Sequence, residues 1–121
     1  MGKILLVEDD LLIQDTTIEL LEVLGHQVVA VNSGSGALGA LDENNGKFDL
    51  VLLDLSLPDM SGEKLLPEFS ARYSDLKVVI CSGALPDELD FKDQPTVRGV
   101  LNKPYELSEL RDIVDSVISA S

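Results

Sequence analysis

The chain has one cysteine, one histidine, only nine Lys+Arg against 22 Asp+Glu, and no apolar run approaching a membrane span. Each shortage closes off a class of function. A lone Cys81 excludes an internal disulfide, and its place inside the run "VVIC" reads as a buried core thiol rather than a catalytic one. His26 follows Gly25 in a polar break with no cysteine or second histidine for company, so a metal role is not indicated and a surface position is expected. The formal charge of −13 argues against direct binding to nucleic acid or anionic lipid and favours a partner with a basic patch. Apolar runs such as "VVAV" (28–31) and "LVLL" (50–53) are far shorter than the roughly 20 residues of a spanning helix. "KILLV" is too short for the apolar region of an export signal, and acids follow it at once. The expectation is a soluble, cytoplasmic chain with no membrane contact.

What is present suits a single packed domain, residues 1–121, with 45% hydrophobic residues and no internal repeat, low-complexity tract or linker. Short apolar runs alternate with stretches of helical period, which predicts an α/β fold: a doubly wound, five-stranded parallel sheet with helices on both faces. Strands are expected at about 3–8, 27–31, 49–54, 76–82 and 97–101. The first helix carries Ile13, Thr17, Leu20, Leu21 and Leu24 on one face and Asp15, Glu19 and Glu22 on the other, and Gly25 ends it. The last helix repeats the pattern with Leu107, Leu110, Ile113, Val114 and Val117. A second helix near 34–44 is weakened by Gly34, Gly36 and Gly39, each costing up to ~1 kcal/mol against alanine. A third, near 62–72, has Ser61 to cap it, while Pro67 is expected to disturb or delay its start. "GALPDELDFKDQPT" (83–96) holds two prolines and little helical period, so the fourth helix is expected to be short or irregular.

In open parallel sheets ligands collect outside the carboxyl ends of the strands. Those ends carry Glu8 and Asp9 after the first strand, Asp54 at the third, Ser82 at the fourth and Asn102-Lys103-Pro104 at the fifth. Singly each has a bland reading, since strand ends are commonly polar, "DD" often caps a helix and Lys-Pro is often only a turn. Together they describe a chemistry. Carboxylates from separate strands can hold a hard divalent cation of the magnesium type, and a hydroxyl and an ammonium can take the remaining phosphoryl oxygens while one carboxylate acts as nucleophile.

The segments "LLVEDD" (5–10), "DLVLLDLSLPDMSG" (49–62), "VVICSG" (78–83) and "LNKPY" (101–105) stand in the order and approximate spacing of one family. Over nearly its whole length the chain closely resembles the receiver domain of two-component response regulators. The resemblance implies a flavodoxin-like strand order 2-1-3-4-5. It makes Asp54 the phosphoacceptor that attacks a phosphohistidine on a partner, a histidine kinase or histidine phosphotransfer domain. It gives Mg²⁺ to Asp9 and Asp54 directly, to Glu8 through water, and to the backbone carbonyl of Ser56. Ser82 matches the family's hydroxyl residue and Lys103 its lysine, both directed to the phosphoryl group. Asp10 matches no functional position and is expected to cap the first helix. No enzymatic activity beyond self-catalysed phosphorylation and dephosphorylation is implied.

Two other classes compete. A Mg-dependent phosphatase of the haloacid dehalogenase type also uses a nucleophilic aspartate, but such enzymes carry a second acid two residues later, where this chain has Ser56, and the chain lacks a cap domain. A flavin-binding module of similar topology would need a phosphate-cradling loop after the first strand; acids stand there instead. Within the receiver reading one departure stands out. The family commonly has Tyr or Phe three residues before its lysine, and this chain has Val100, which has no ring to turn inward, although Tyr105 is an alternative ring. The expectation is a monomer that takes and passes phosphate or modulates an attached kinase, either as a stand-alone regulator or as part of a longer one. At least one of Leu11 and Leu12 should face solvent beside the acids, where a partner can dock.

Overall fold

The computed structural model describes residues 2–54, 57, 59, 62–82, 96–102 and 105–119, with the side chains of Glu63 and Ser82 outside that description. The apolar runs become β1 (Lys3–Val7), β2 (Gln27–Val31), β3 (Leu50–Asp54), β4 (Val78–Ser82) and β5 (Val97–Asn102). Among the described residues the helices are α1 (Leu11–Val23), α2 (Gly34–Glu43), α3 (Gly62–Arg72) and α4 (Leu107–Ser119). All neighbouring strands pair parallel in the order β2-β1-β3-β4-β5, the doubly wound order expected. The segment 83–95, where an irregular helix is expected, lies outside the described residues.

Strand side chains alternate between two cores, as the period of two requires. Leu5, Val7, Val51, Leu53, Val78 and Ile80 face one cluster with Ala37 and Leu41 of α2 and Leu65, Leu66 and Phe69 of α3. Ile4, Leu6, Leu50, Leu52, Val79 and Cys81 face the other with Leu21 of α1 and Leu110, Val114 and Val117 of α4. Because both faces are covered, β3 is buried from end to end and reads as an unbroken apolar run closing on Asp54. Cys81 is buried as expected. Between β4 and β5 the register slips at Val78/Val79, where Arg98 is the extra residue, and beyond it Gly99 and Leu101 turn toward α4 while Val100 turns to the opposite face.

Five expectations need correction: Leu107, expected on the inward face of α4, is 40% exposed, and four others follow. Pro67 does not delay α3, which begins at Gly62 and runs through the proline. The ring is exposed, and the roughly 3 kcal/mol that proline costs in a helix is outweighed by burial of Leu65, Leu66 and Phe69 at about 1.5–3 kcal/mol each. His26 is half-buried, and its Nδ1 accepts a hydrogen bond from the Gly2 N–H at 3.0 Å, so it ties down the chain's start. The fourth strand begins at Val78 rather than 76, because the Leu76 N–H turns back to the Tyr73 carbonyl at 3.1 Å. Ile18 joins the core face of α1, which the spacing argument had left out.

Candidate functional site

The acids follow from the strand ends. Beyond β1 the Glu8 N–H still donates to the Val31 carbonyl at 3.0 Å, which carries the extended chain one residue further before α1 starts. Glu8 is thereby buried, 3% exposed, while Asp9 remains open to solvent. Asp54 ends β3 on the same rim and is 6% exposed. Carboxylate oxygens of Glu8, Asp9 and Asp54 all lie within 4.8 Å of one another. Three carboxylates so close, two of them buried, form a donor set that a cation can bridge.

The donor set fits a hard divalent cation. Such an ion takes carboxylate oxygens directly or through bound water, so three oxygens within 4.8 Å of one another can share it. An all-carboxylate donor set favours magnesium-like ions over zinc or copper. Asp10, the third acid of the run, stands apart: it is the N-cap of α1, its Oδ1 accepting from the Leu12 and Ile13 N–H groups at 3.0 and 3.1 Å. This is the role expected for it. At the neighbouring strand ends Asp54 pairs with Cys81, and Ser82 at the end of β4 pairs with Asn102 of β5. The side chain of Ser82, together with Ser56 and Lys103, lies outside the described residues.

Two residues that the sequence argument passed over shape this rim. Gln14, one turn into α1, donates from Nε2 to the carbonyls of Glu8 and Val31, both at 3.1 Å, clamping the ends of β1 and β2 together. Its sequence signal is faint, a polar residue beside the core-facing Ile13. Asp59 accepts from the Gly34 and Ser35 N–H groups of α2 at 2.8 and 3.0 Å. Those two bonds hold its carboxyl below the ordinary aspartate range, the Gly34 bond having the larger effect. Nothing in "LPDM" announced this, because Pro-Asp reads equally well as a turn.

Tyr105 also finds a definite place. Its hydroxyl lies 2.6 Å from that of Thr17, buried in α1, and the ring packs on the cluster beneath α1 and α4. Val100 pairs with Ile80, whose side chain belongs to the other cluster, and is 40% exposed. The Tyr105 ring and the Val100 side chain therefore sit on opposite faces of the sheet.

With this geometry, the known proteins most like the chain are of one kind. The family model of the response regulator receiver domain matches residues 4–115, and the chain belongs to that family. It is a receiver domain of two-component systems, a phosphoacceptor in signalling, and the haloacid dehalogenase alternative is not supported. It is 30% identical over 122 residues to the response regulator receiver protein CpdR of Brucella abortus, covering all of both chains. It is 36% identical over 103 residues to the sensor protein TorS of Escherichia coli K12, covering 84% of this chain but only 11% of that protein. A solved receiver domain (CheY-like) from Methylobacillus flagellatus superposes with a TM-score of 0.84 at 34% identity, covering 97% of this chain and 98% of the other. Among the described residues no helix is long and apolar enough to cross a membrane.

Proposed function

We propose that Asp54 is the phosphoacceptor of this receiver. An Asp54 carboxylate oxygen attacks the phosphorus of a phosphohistidine; the new O–P bond replaces the P–N bond, and the imidazole leaves with the electron pair. Asp9 and Asp54 would hold Mg²⁺ directly, Glu8 through water, with the backbone carbonyl of Ser56 as a further ligand. The ion supplies charge neutralisation for the phosphoryl oxygens. The Ser82 hydroxyl and Lys103 ammonium take the oxygens that remain. The observation carrying this reading is the meeting of three carboxylates from two strand ends within 4.8 Å, two of them nearly inaccessible to water.

The donor is a histidine kinase or histidine phosphotransfer domain, and Leu11 and Leu12, 62% and 77% exposed at the start of α1 beside the acids, are its contact. Residues 1–121 form one receiver domain that works in the cytoplasm, alone or within a longer protein. Its −13 charge disfavours nucleic acid, and its only catalysis is formation and loss of its own phosphoryl group. Val100 supports a second element of the reading. With no ring at that position, and with Tyr105 held on the other face of the sheet, the usual aromatic coupling to an output surface is missing. A monomer that passes phosphate on, or modulates a kinase, fits better than a regulator that dimerises on phosphorylation. The test is phosphorylation by a small phosphodonor such as acetyl phosphate in Mg²⁺, followed by intact mass and by light scattering. One phosphoryl group on the wild type, none on Asp54→Asn, and an unchanged monomer support the reading. Stoichiometric labelling of Asp54→Asn contradicts the site, and phosphorylation-dependent dimerisation contradicts the role.

A further inference from the structure

The N-terminus of α2 has unusual hydrogen-bond partners. An α-helix leaves its first backbone N–H groups without intrahelical acceptors, and they need partners from elsewhere. Here Ser33, the N-cap, accepts through Oγ from Gly36 N–H at 3.0 Å and through its carbonyl from Ala37 N–H at 3.0 Å. The two earliest amides, of Gly34 and Ser35, are left over. They are taken, one by each oxygen, by the carboxylate of Asp59, 25 and 24 residues further along the chain. A bidentate carboxylate on a helix N-terminus combines charge-assisted bonds with a favourable macrodipole, and it fixes two directions at once.

Asp59 does not belong to α2. It lies five residues after Asp54 and three after Ser56, in the seven-residue connection between β3 and α3. A connection of that length, joined only at its ends, has considerable conformational freedom to lose when it supplies a cation ligand. We propose that Asp59 is a positioning residue for the acidic site: its two bonds to α2 anchor the chain five residues beyond Asp54, so that cation binding at Asp54 and capping of α2 are coupled. The inference rests on the phosphoacceptor reading above. The coupling is reciprocal: Mg²⁺ at the acids tightens the grip on α2, and loss of that grip weakens Mg²⁺.

The test compares two ways of uncapping the same helix. Asp59→Ala removes the cap that comes from the connection, and Ser33→Ala removes the cap internal to α2. Mg²⁺ is titrated into each by calorimetry, and exchange of the Gly34 and Ser35 amides is followed by NMR. Supporting outer-shell contacts are commonly worth 10–100-fold in metal affinity, and Asp59→Ala is expected to weaken Mg²⁺ by about tenfold. Asp59→Asn, which keeps one acceptor oxygen, should fall between it and the wild type. Ser33→Ala should bind Mg²⁺ as the wild type does. In the wild type, Mg²⁺ should slow exchange at Gly34 and Ser35, and in Asp59→Ala it should not. Unchanged affinity in Asp59→Ala, or equal weakening in Asp59→Ala and Ser33→Ala, overturns the tie, the second because it reports only helix stability. A wild type that binds no Mg²⁺ contradicts the cation site itself. The tie is then decided by the backbone resonances of Asp54 and Leu57, which Asp59→Ala must shift and Ser33→Ala must not.

Discussion

The contact between Thr17 and Tyr105 joins residues 88 positions apart, and its worth can be worked out from burial alone. Thr17 is 1% exposed on α1, so removing the tyrosine hydroxyl leaves a threonine hydroxyl with no access to water. A buried polar group stripped of its partner costs about 1–3 kcal/mol. Tyr105 is half-buried, and its hydroxyl can recover part of the loss from solvent, so Thr17→Val should cost less, about 0.5–1.5 kcal/mol. When both hydroxyls are absent no orphan remains, and the double variant should be no worse than Tyr105→Phe. The cycle therefore predicts a coupling energy of about 0.5–1.5 kcal/mol between the two positions. Urea unfolding followed by circular dichroism measures it, with equal slopes confirming that only stability has changed. By thermal melting, Tyr105→Phe should lower the midpoint by roughly 4–12 °C. If the two substitutions simply add, the hydroxyls are not partners. The placement of the Tyr105 ring on the α1 side of the sheet then loses its main support.

Three further outcomes follow from the geometry. Gly46 has φ +68°, and the Tyr73 ring occupies the space where a Cβ would stand; Gly46→Ala should destabilise by about 2–4 kcal/mol in urea unfolding, combining backbone strain with a clash, and a neutral result would contradict the packing. Leu12→Lys, at the 77% exposed position, should slow phosphoryl transfer from a kinase or phosphotransfer partner while leaving labelling by acetyl phosphate intact; equal loss with both donors would indicate damaged folding instead. Asp59 has its folded pKa below the ordinary 3.8, so between the two values the unfolded chain binds more protons and stability rises with pH. Its contribution is complete above about 3.8 and disappears as pH falls through the folded value; Asp59→Asn should therefore lose the wild type's advantage at neutral pH and converge with it in acid, and a gap that persists at the lowest pH would refute the charge argument.

The sheet was legible because its signal is local. Apolar runs such as 50–53 keep their meaning whatever surrounds them, and Asp10 caps the helix that begins at the next residue. The strand ends then place Glu8, Asp9 and Asp54 on one rim once parallel order is assumed, so these three acids were visible too. What escaped the sequence is long-range or a matter of facing. Pro67 is harmless because its ring points to solvent while Leu66 and Phe69 hold the helix down, and periodicity alone does not reveal which turn carries the weight. His26 was read as a surface residue because its hydrogen-bond donor, the Gly2 amide, lies on an adjacent strand end 24 residues away. Asp59 is the clearest case: a Pro-Asp pair signals a turn, but that its carboxylate would complete a helix cap elsewhere depends on the fold being formed.

Asp54 is proposed above as the residue that receives phosphate. The direct measurement is to incubate the chain with acetyl phosphate and Mg²⁺, trap the product with borohydride, and locate the modified residue by peptide mass spectrometry. The prediction is a single modified position, Asp54, lost when Mg²⁺ is chelated and strongly reduced in Asp9→Asn. Modification at another acid of the cluster, or at Asp54 independently of Mg²⁺ and Asp9, would contradict it.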